Sequence, residues 1–258
     1  MGRHRFGLAM VISLVLVSVA PQANGAAGTP ITTCGQTVTT NAFLTQDLIC
    51  IYSHGVIVGA SGITIDLKGF TLRGNRGPNT GGIYDPGFDG VTIKNGVVRN
   101  FERGVDADNF SDSVSLLNLA ATGNSGFGIY IHGSSPLVKS STASGNAGQG
   151  MYIDSFPGAP KILSSSATGN NVGIVVEGPS IKIQSSTASG NAWVGIVVHG
   201  EAAVLKGNRV EGNGFLGGAS DLGGLGISVD ANVTIPPSGK NIARGNDDPA
   251  ECDPTYLC

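Results

Sequence analysis

The chain has 258 residues, 41 of them glycine, and a formal charge of −3 with only 13% of residues charged. Sparse charge among Gly, Ser, Thr, Asn, Val and Ile suits short strands joined by tight turns and excludes a helical bundle. Glycine without a three-residue period excludes collagen, and a mildly acidic chain with no basic stripe legible along its length excludes nucleic acid as a partner.

At the N-terminus Arg3, His4 and Arg5 precede an apolar run from Leu8 to Ala20, and small residues follow around Ala23 to Ala27. This pattern predicts a secretory signal peptide over 1–25, cleaved within 20–27, because the run is short for a bilayer span of about 20 residues. Loss of Arg3 and Arg5 leaves 13 basic against 18 acidic residues, a charge of −5. The mature chain, 26–258, is expected to be a monomer, secreted or periplasmic, with no membrane span.

Next come Cys34 and Cys50, then the apolar stretches Val56-Ile57-Val58 and Ile63 to Leu67. Residues of about 31–60 are expected to cap one end of the fold and a tail of about 247–258, with Cys252 and Cys258, to close the other. Oxidising conditions favour disulfides. Of three connectivities, Cys34–Cys50 with Cys252–Cys258 is favoured, because each closes a short loop at an end of the repeat array.

Between the ends the pair Gly-Asn recurs, placing asparagines at 124, 146, 170, 191, 213 and 246, with Asn75 and Asn100 extending the series. Ser-Ser-Thr-Ala-Ser-Gly-Asn-Ala occurs at 140–147 and again at 185–192. A period of 20 to 25 residues without a helical pattern predicts a single-stranded parallel β-helix of about eight coils, all-β, in which the asparagines stack as a ladder. Three residues before each asparagine stand Leu72, Val97, Ala121, Ala143, Ala167, Ala188, Val210 and Ala243, an apolar inward column. Five before stand Ser141, Ser165, Ser186, Asn208 and Asn241, a polar inward column that stacking must pair with itself.

Each coil opens with a strand led by glycine, such as Gly128-Ile129-Tyr130-Ile131 or Gly173-Ile174-Val175-Val176. Alternation turns two columns outward. One reads Tyr84, Asp106, Tyr130, Tyr152, Val175, Val197, Ser228, and the other Asp108, His132, Asp154, Glu177, His199, Asp230. A second strand follows, as in Val114 to Leu116, Ile181 to Ile183 and Val233 to Ile235. Two longer loops, Arg76 to Gly81 and Gly214 to Leu225, are expected to rise beside the outward face.

Tyrosines beside carboxylates suit sugar binding, so Tyr84, Tyr130, Tyr152, Glu177 and His199 are candidate ligand-binding residues. Carboxylates one or two coils apart stand about 5 or 9–10 Å from each other, separations that bracket glycosidase geometries. Asp106, Asp108, His132 and Asp154 are therefore the candidate catalytic set, with Asp108 and Asp154 as acid and base. No cofactor is demanded. Calcium on Asp154, Glu177 and His199 is the cation alternative, against the poor geometry of a straight row of ligands. The competing reading of the whole column is a solvated edge whose acids cap nearby backbone amides.

The opening from Cys34-Gly35-Gln36-Thr37-Val38 to Cys50, the coil Gly62-Ile63-Thr64-Ile65-Asp66-Leu67, and the ending from Ala243-Arg244-Gly245-Asn246 to Cys258 resemble secreted bacterial proteins of the pectate-lyase-like superfamily. The resemblance implies a right-handed coil and polysaccharide as ligand. Its enzyme motifs are not matched: no Asp-Asp falls within a coil, and His132-Gly133 and His199-Gly200 lack a preceding glycine. The expected function is polysaccharide interaction through the outward face of the first strands. Lyase or hydrolase chemistry on its carboxylates, and a structural or adhesive solenoid, are the alternatives.

Overall fold

The computed structural model describes residues 28–214, 224–230, 241–247 and 251–253. The predicted signal peptide, the strand at 233–235, most of the excursion from Gly214 to Leu225, much of the tail and Cys258 lie outside them. Every described element is a strand, and each pairs in parallel with its counterpart one coil away.

The first strands stack into a ten-stranded sheet from Gln36–Val38 to Cys252–Asp253. The second and third strands share a sixteen-stranded sheet. They are separate in Leu137–Lys139 and Thr142–Ser144, but fuse in Thr92–Arg99 and Ser115–Thr122, which bend at Asn95 and Asn118. These asparagines, and Ser140, Ser164 and Ser185 on later coils, have φ of 50–58°. Short polar side chains tolerate that left-handed corner best after glycine.

Alternation in these strands sends one side chain in and the next out. Ile129, Ile131, Ile153, Ile174, Val176, Ile196 and Val198 are fully buried, as are Leu116, Val138, Ile162, Ile183 and Leu205 on the second strands. Each such side chain stabilises the fold by about 1.5–3 kcal/mol relative to exposure.

The asparagine ladder is present from Asn124 to Asn246. Each rung donates from Nδ2 and from its amide N–H to the Oδ1 of the next, as Asn146 does to Asn170 over 2.9 and 3.0 Å. Its Nδ2 also reaches the Ala121 carbonyl at 3.2 Å. The polar inward column behaves likewise, with Ser141 N–H donating to Ser165 Oγ and Asn208 Nδ2 to Asn241 Oδ1. No buried rung is left unpaired, which burial requires.

Two expected members fall elsewhere. Arg99 pairs with Thr122, so Asn100 lies beside the left-handed Gly123 and itself has φ 58°. Phe101 then faces Asn124, donating its N–H to Oδ1 over 3.0 Å, and its fully buried ring closes the ladder. By the same one-residue offset Val98, not Val97, joins the inward column between Leu72 and Ala121. Asn75 is exposed and accepts the Tyr52 N–H. Leu119 closes the second polar row, donating its N–H to Ser141 Oγ. Both rows therefore begin only where a coil below can supply an apolar lid.

Cys34 and Cys50 form the expected disulfide in the first coils, with Cα atoms 5.5 Å apart. Cys252 is buried on the last described coil.

Candidate functional site

The two outward columns are in register. Tyr84 pairs with Asp106, Asp106 with Tyr130, Tyr130 with Tyr152, Tyr152 with Val175 and Val175 with Val197. His132 pairs with Asp154, Asp154 with Glu177, and Glu177 with His199. A third outward column comes from the residue just before each strand-leading glycine. It runs His54, Gly81, Arg103, Phe127, Gln149, Val172, Val194, Leu225. It adds the cation Arg103 and two further rings, His54 and Phe127.

Two aromatic stacks result. His54 lies on Tyr84 with ring centroids 4.6 Å apart and planes 13° from parallel, and its Nδ1 accepts the Gly81 N–H. Tyr130 lies on Tyr152 at 5.5 Å and 7°, while the Arg103 guanidinium covers the other face of Tyr130 at 4.5 Å. Phe127 tilts against both tyrosines. The faces of Tyr130 are thus occupied, and the ring offers its edge and hydroxyl rather than a platform.

Asp106 sits between the stacks and accepts Arg103 Nη1 at 2.8 Å. Around it opens a depression of about 300 Å³ lined by His54, Asn79, Thr80, Tyr84, Glu102, Arg103, Asp106 and Asp108. The loop Arg76 to Gly81 forms one wall as expected. Arg76 Nε donates to the Gly123 carbonyl, and the Asn79 N–H donates to Glu102 Oε2.

Next to the depression His132 stands between two carboxylates, with Nδ1 3.7 Å from Asp108 and Nε2 3.7 Å from Asp154. Phe110 rests on its ring at 4.3 Å. Burial pushes the Asp106 carboxyl above its usual range, only partly offset by Arg103. Burial also works against the Arg103 charge, but the hydrogen bond and charge of Asp106 hold it more firmly cationic than usual. Burial raises Tyr130, with Asp108 adding to it, and burial and the bond to Glu177 raise Tyr152. Both phenols are therefore neutral donors at physiological pH.

The site ends at Tyr152, whose hydroxyl donates to Glu177 over 2.8 Å. Beyond it Val175, Val194, Val197 and Leu225 close into a small apolar cluster, so Leu225 returns over the outward face. His199 pairs instead with Asp230 over 2.8 Å. The straight row Asp154, Glu177, His199 does not converge, and among the described residues no group of three His, Cys, Asp or Glu side chains is arranged to hold a metal ion. The structure thus brings Tyr84, Asp106, Asp108, Tyr130, His132, Tyr152, Asp154 and Glu177 onto one face, while His199, in register beside Glu177, turns its side chain to Asp230. Sequence reasoning missed His54, Arg103 and Phe127. Aligning the residue before each leading glycine would have found them.

Fold and face together define a right-handed parallel β-helix with a polar, aromatic-walled outward groove. A family model described as "Right handed beta helix region" matches residues 54–235, and the chain belongs to that family. The A-module of mannuronan C-5 epimerase AlgE4 from Azotobacter vinelandii is similar in fold, with a TM-score of 0.58 and 17% identity over 82% of this chain and 65% of that one. The A-module of AlgE6 from the same organism gives 0.51 and 18% over 84% and 80%. The chain thus spans a little under two thirds of the AlgE4 module. At these identities the likeness is one of fold. No curated protein sequence matches the chain significantly.

Proposed function

We propose that the protein is secreted or periplasmic and binds polysaccharide across the first-strand face, with a sugar residue seated in the depression around Asp106. The observation that carries this reading is the pairing of hydroxyl acceptors with a half-buried cation and aromatic walls. Asp106, Asp108 and Glu102 accept sugar hydroxyls, His54 and Tyr84 wall the site, and the remaining Arg103 N–H groups take an anionic substituent. The Cys34–Cys50 disulfide suits an oxidising compartment. The two similar modules come from enzymes named for mannuronan, which supports an acidic polysaccharide over a neutral one.

A second reading adds catalysis. In it His132, between Asp108 and Asp154, takes a proton from a sugar, and Asp106, whose carboxyl burial raises above its usual range, returns one. Lyase or hydrolase chemistry needs both roles. Incubation with a panel of uronans and neutral polysaccharides tests the two readings. Product formation lost in Asp106→Ala, Asp108→Ala and Asp154→Ala supports catalysis. Binding without product supports the binding reading alone. Absence of both overturns the proposal.

A further inference from the structure

Near the N-terminal end, the third strands turn an unneutralised arginine cluster outward. Leu48–Ile49, Thr71–Arg73 and Thr92–Arg99 stack in register, so that Ile49 pairs with Arg73 and Arg73 with Arg99. Leu48, Leu72 and Val98 are buried, and the three residues that follow them are exposed. Two arginines therefore stand directly opposite each other on adjacent strands, their backbones about 5 Å apart, an arrangement that costs stability. Arg76 adds a third, reaching across the corner to donate Nε to the Gly123 carbonyl over 3.0 Å. None of the three makes an ion pair with a described residue. Asp47, two residues before Ile49, accepts the Thr71 N–H instead.

Apolar side chains are exposed beside these cations. Ile49, Ile51 and Tyr52 are 67%, 62% and 76% exposed, three of the seven large apolar side chains that the described residues present to solvent. Cys50, between the isoleucines, is buried, bonded to Cys34, and donates its N–H to the Arg73 carbonyl over 2.7 Å. The isoleucines thus point away from the core on either side of an anchored residue. Tyr52 has φ 54°, a left-handed backbone that bulky residues rarely adopt, and its N–H is held by Asn75 Oδ1 over 3.2 Å. Ile49, Ile51, Arg73, Asn75, Arg76 and Asn100 line a hollow of about 500 Å³, and no described carboxylate lines it.

We propose that this hollow binds an amphiphile with a phosphate head, the phosphate taken by Arg73 and Arg76 and the acyl chain lying against Ile49 and Ile51. Guanidinium forks pair bidentately with phosphate oxygens, and a phosphate monoester carries a charge of about −1.5 to −2, which answers a cluster of arginines better than the single charge of a carboxylate. The exposed isoleucines account for the apolar part of the ligand, because contact with an acyl chain takes both surfaces out of water. Two branched aliphatic walls suit a flexible chain better than a planar base, which stacks on aromatic rings. A second copy of the chain related by a two-fold axis would set the same arginines against each other, so charge disfavours a symmetric dimer here. The hollow stands on the third strands and does not depend on sugar binding around Asp106, although the loop Arg76 to Gly81 borders both.

The test is calorimetric titration of the full chain with dihexanoyl phosphatidic acid, kept below the concentration at which it forms micelles. It is expected to bind at least about tenfold more tightly than dihexanoyl phosphatidylcholine, whose head is neutral overall, and than glycerol 3-phosphate, which lacks the chains. A loss of at least about tenfold is expected in Arg73→Gln, and again in the double variant Ile49→Ser, Ile51→Ser. The Arg73 side chain makes no hydrogen bond or ion pair to a described residue, so Arg73→Gln leaves the coil intact, which a far-ultraviolet spectrum checks. Lys182→Gln, on the second strands, removes the same charge elsewhere and is expected to change binding by less than about twofold. No binding of phosphatidic acid, equally tight binding of glycerol 3-phosphate or adenosine monophosphate, or a loss in Lys182→Gln as large as in Arg73→Gln overturns the proposal.

Discussion

Asn124 donates to the same oxygen of Asn146 twice, from Nδ2 over 2.8 Å and from its backbone N–H over 3.0 Å. The side chain of one coil thus satisfies both the side chain and the main chain of the coil before it. Asn170 does this in the middle of the row and also donates to the Ala143 carbonyl. Asn170→Ala strands several buried groups at once and is expected to cost about 2–4 kcal/mol in denaturant unfolding. Asn100→Gly, off the row in a left-handed turn, is expected to change stability by less than about 0.5 kcal/mol. Equal costs at the two positions would contradict the ladder.

The glycines of one coil serve two purposes that substitution separates. A Cβ on Gly150 would lie 2.6 Å from Asn170 Nδ2 and 2.7 Å from the Gly173 carbonyl, so the next coil could not close down on it. Gly145 has open space but φ 62°. Gly150→Ala is expected to cost about 2–3 kcal/mol by overpacking, and Gly145→Ala about 1 kcal/mol by backbone strain. Thermal unfolding of the pair checks the order.

Asp85 occupies an inward position opposite Ala107 and is fully buried. Its Oδ1 accepts the Gly87 and Phe88 N–H groups, but Oδ2 has no hydrogen bond to any described residue, the nearby Ser111 hydroxyl donating to the Asp108 carbonyl instead. Burial raises the carboxyl above its ordinary range despite those two amides. Ionisation is therefore harder in the folded state, and stability falls as pH rises from the unfolded value of about 3.9 through the higher folded one. Asp85→Asn is expected to be more stable than the natural chain by about 1–2 kcal/mol at neutral pH, the difference shrinking toward acid pH. A difference that stays flat from pH 3 to 7, followed by denaturant titration at each pH, would contradict a raised Asp85.

Arg103 joins the depression to the tyrosine stack, bonding Asp106, covering Tyr130 and approaching Asp108 at 3.8 Å. Arg103→Gln is expected to weaken binding of an acidic oligosaccharide at that face about tenfold and of its neutral analogue by less than about threefold. Calorimetric titration of both ligands against the natural chain and the variant measures this term. Equal losses would mean that Arg103 organises the site without reading charge.

The solenoid, the two buried polar rows from the Asn124 coil onward and the register of the outward columns were all legible, because stacking repeats each residue's environment once per turn. The errors share one cause. A corner can hold one residue more or fewer without altering the period much, so Val97 and Asn100 looked in step with the repeat when Val98 and Phe101 were. Arg103 and His54 escaped notice because each stands just before the leading glycine from which the strand pattern was counted. None of the ring contacts that block the faces of Tyr130 could be read without side-chain geometry.

A crystal structure of the protein with an acidic oligosaccharide at saturating concentration tests the proposed function most directly. The account predicts a pyranose in the hollow between the His54–Tyr84 and Arg103–Tyr130 stacks, its hydroxyls on Asp106 or Asp108 and its carboxylate toward Arg103. A hollow that stays empty of sugar under those conditions, with or without ligand elsewhere on the solenoid, would contradict it.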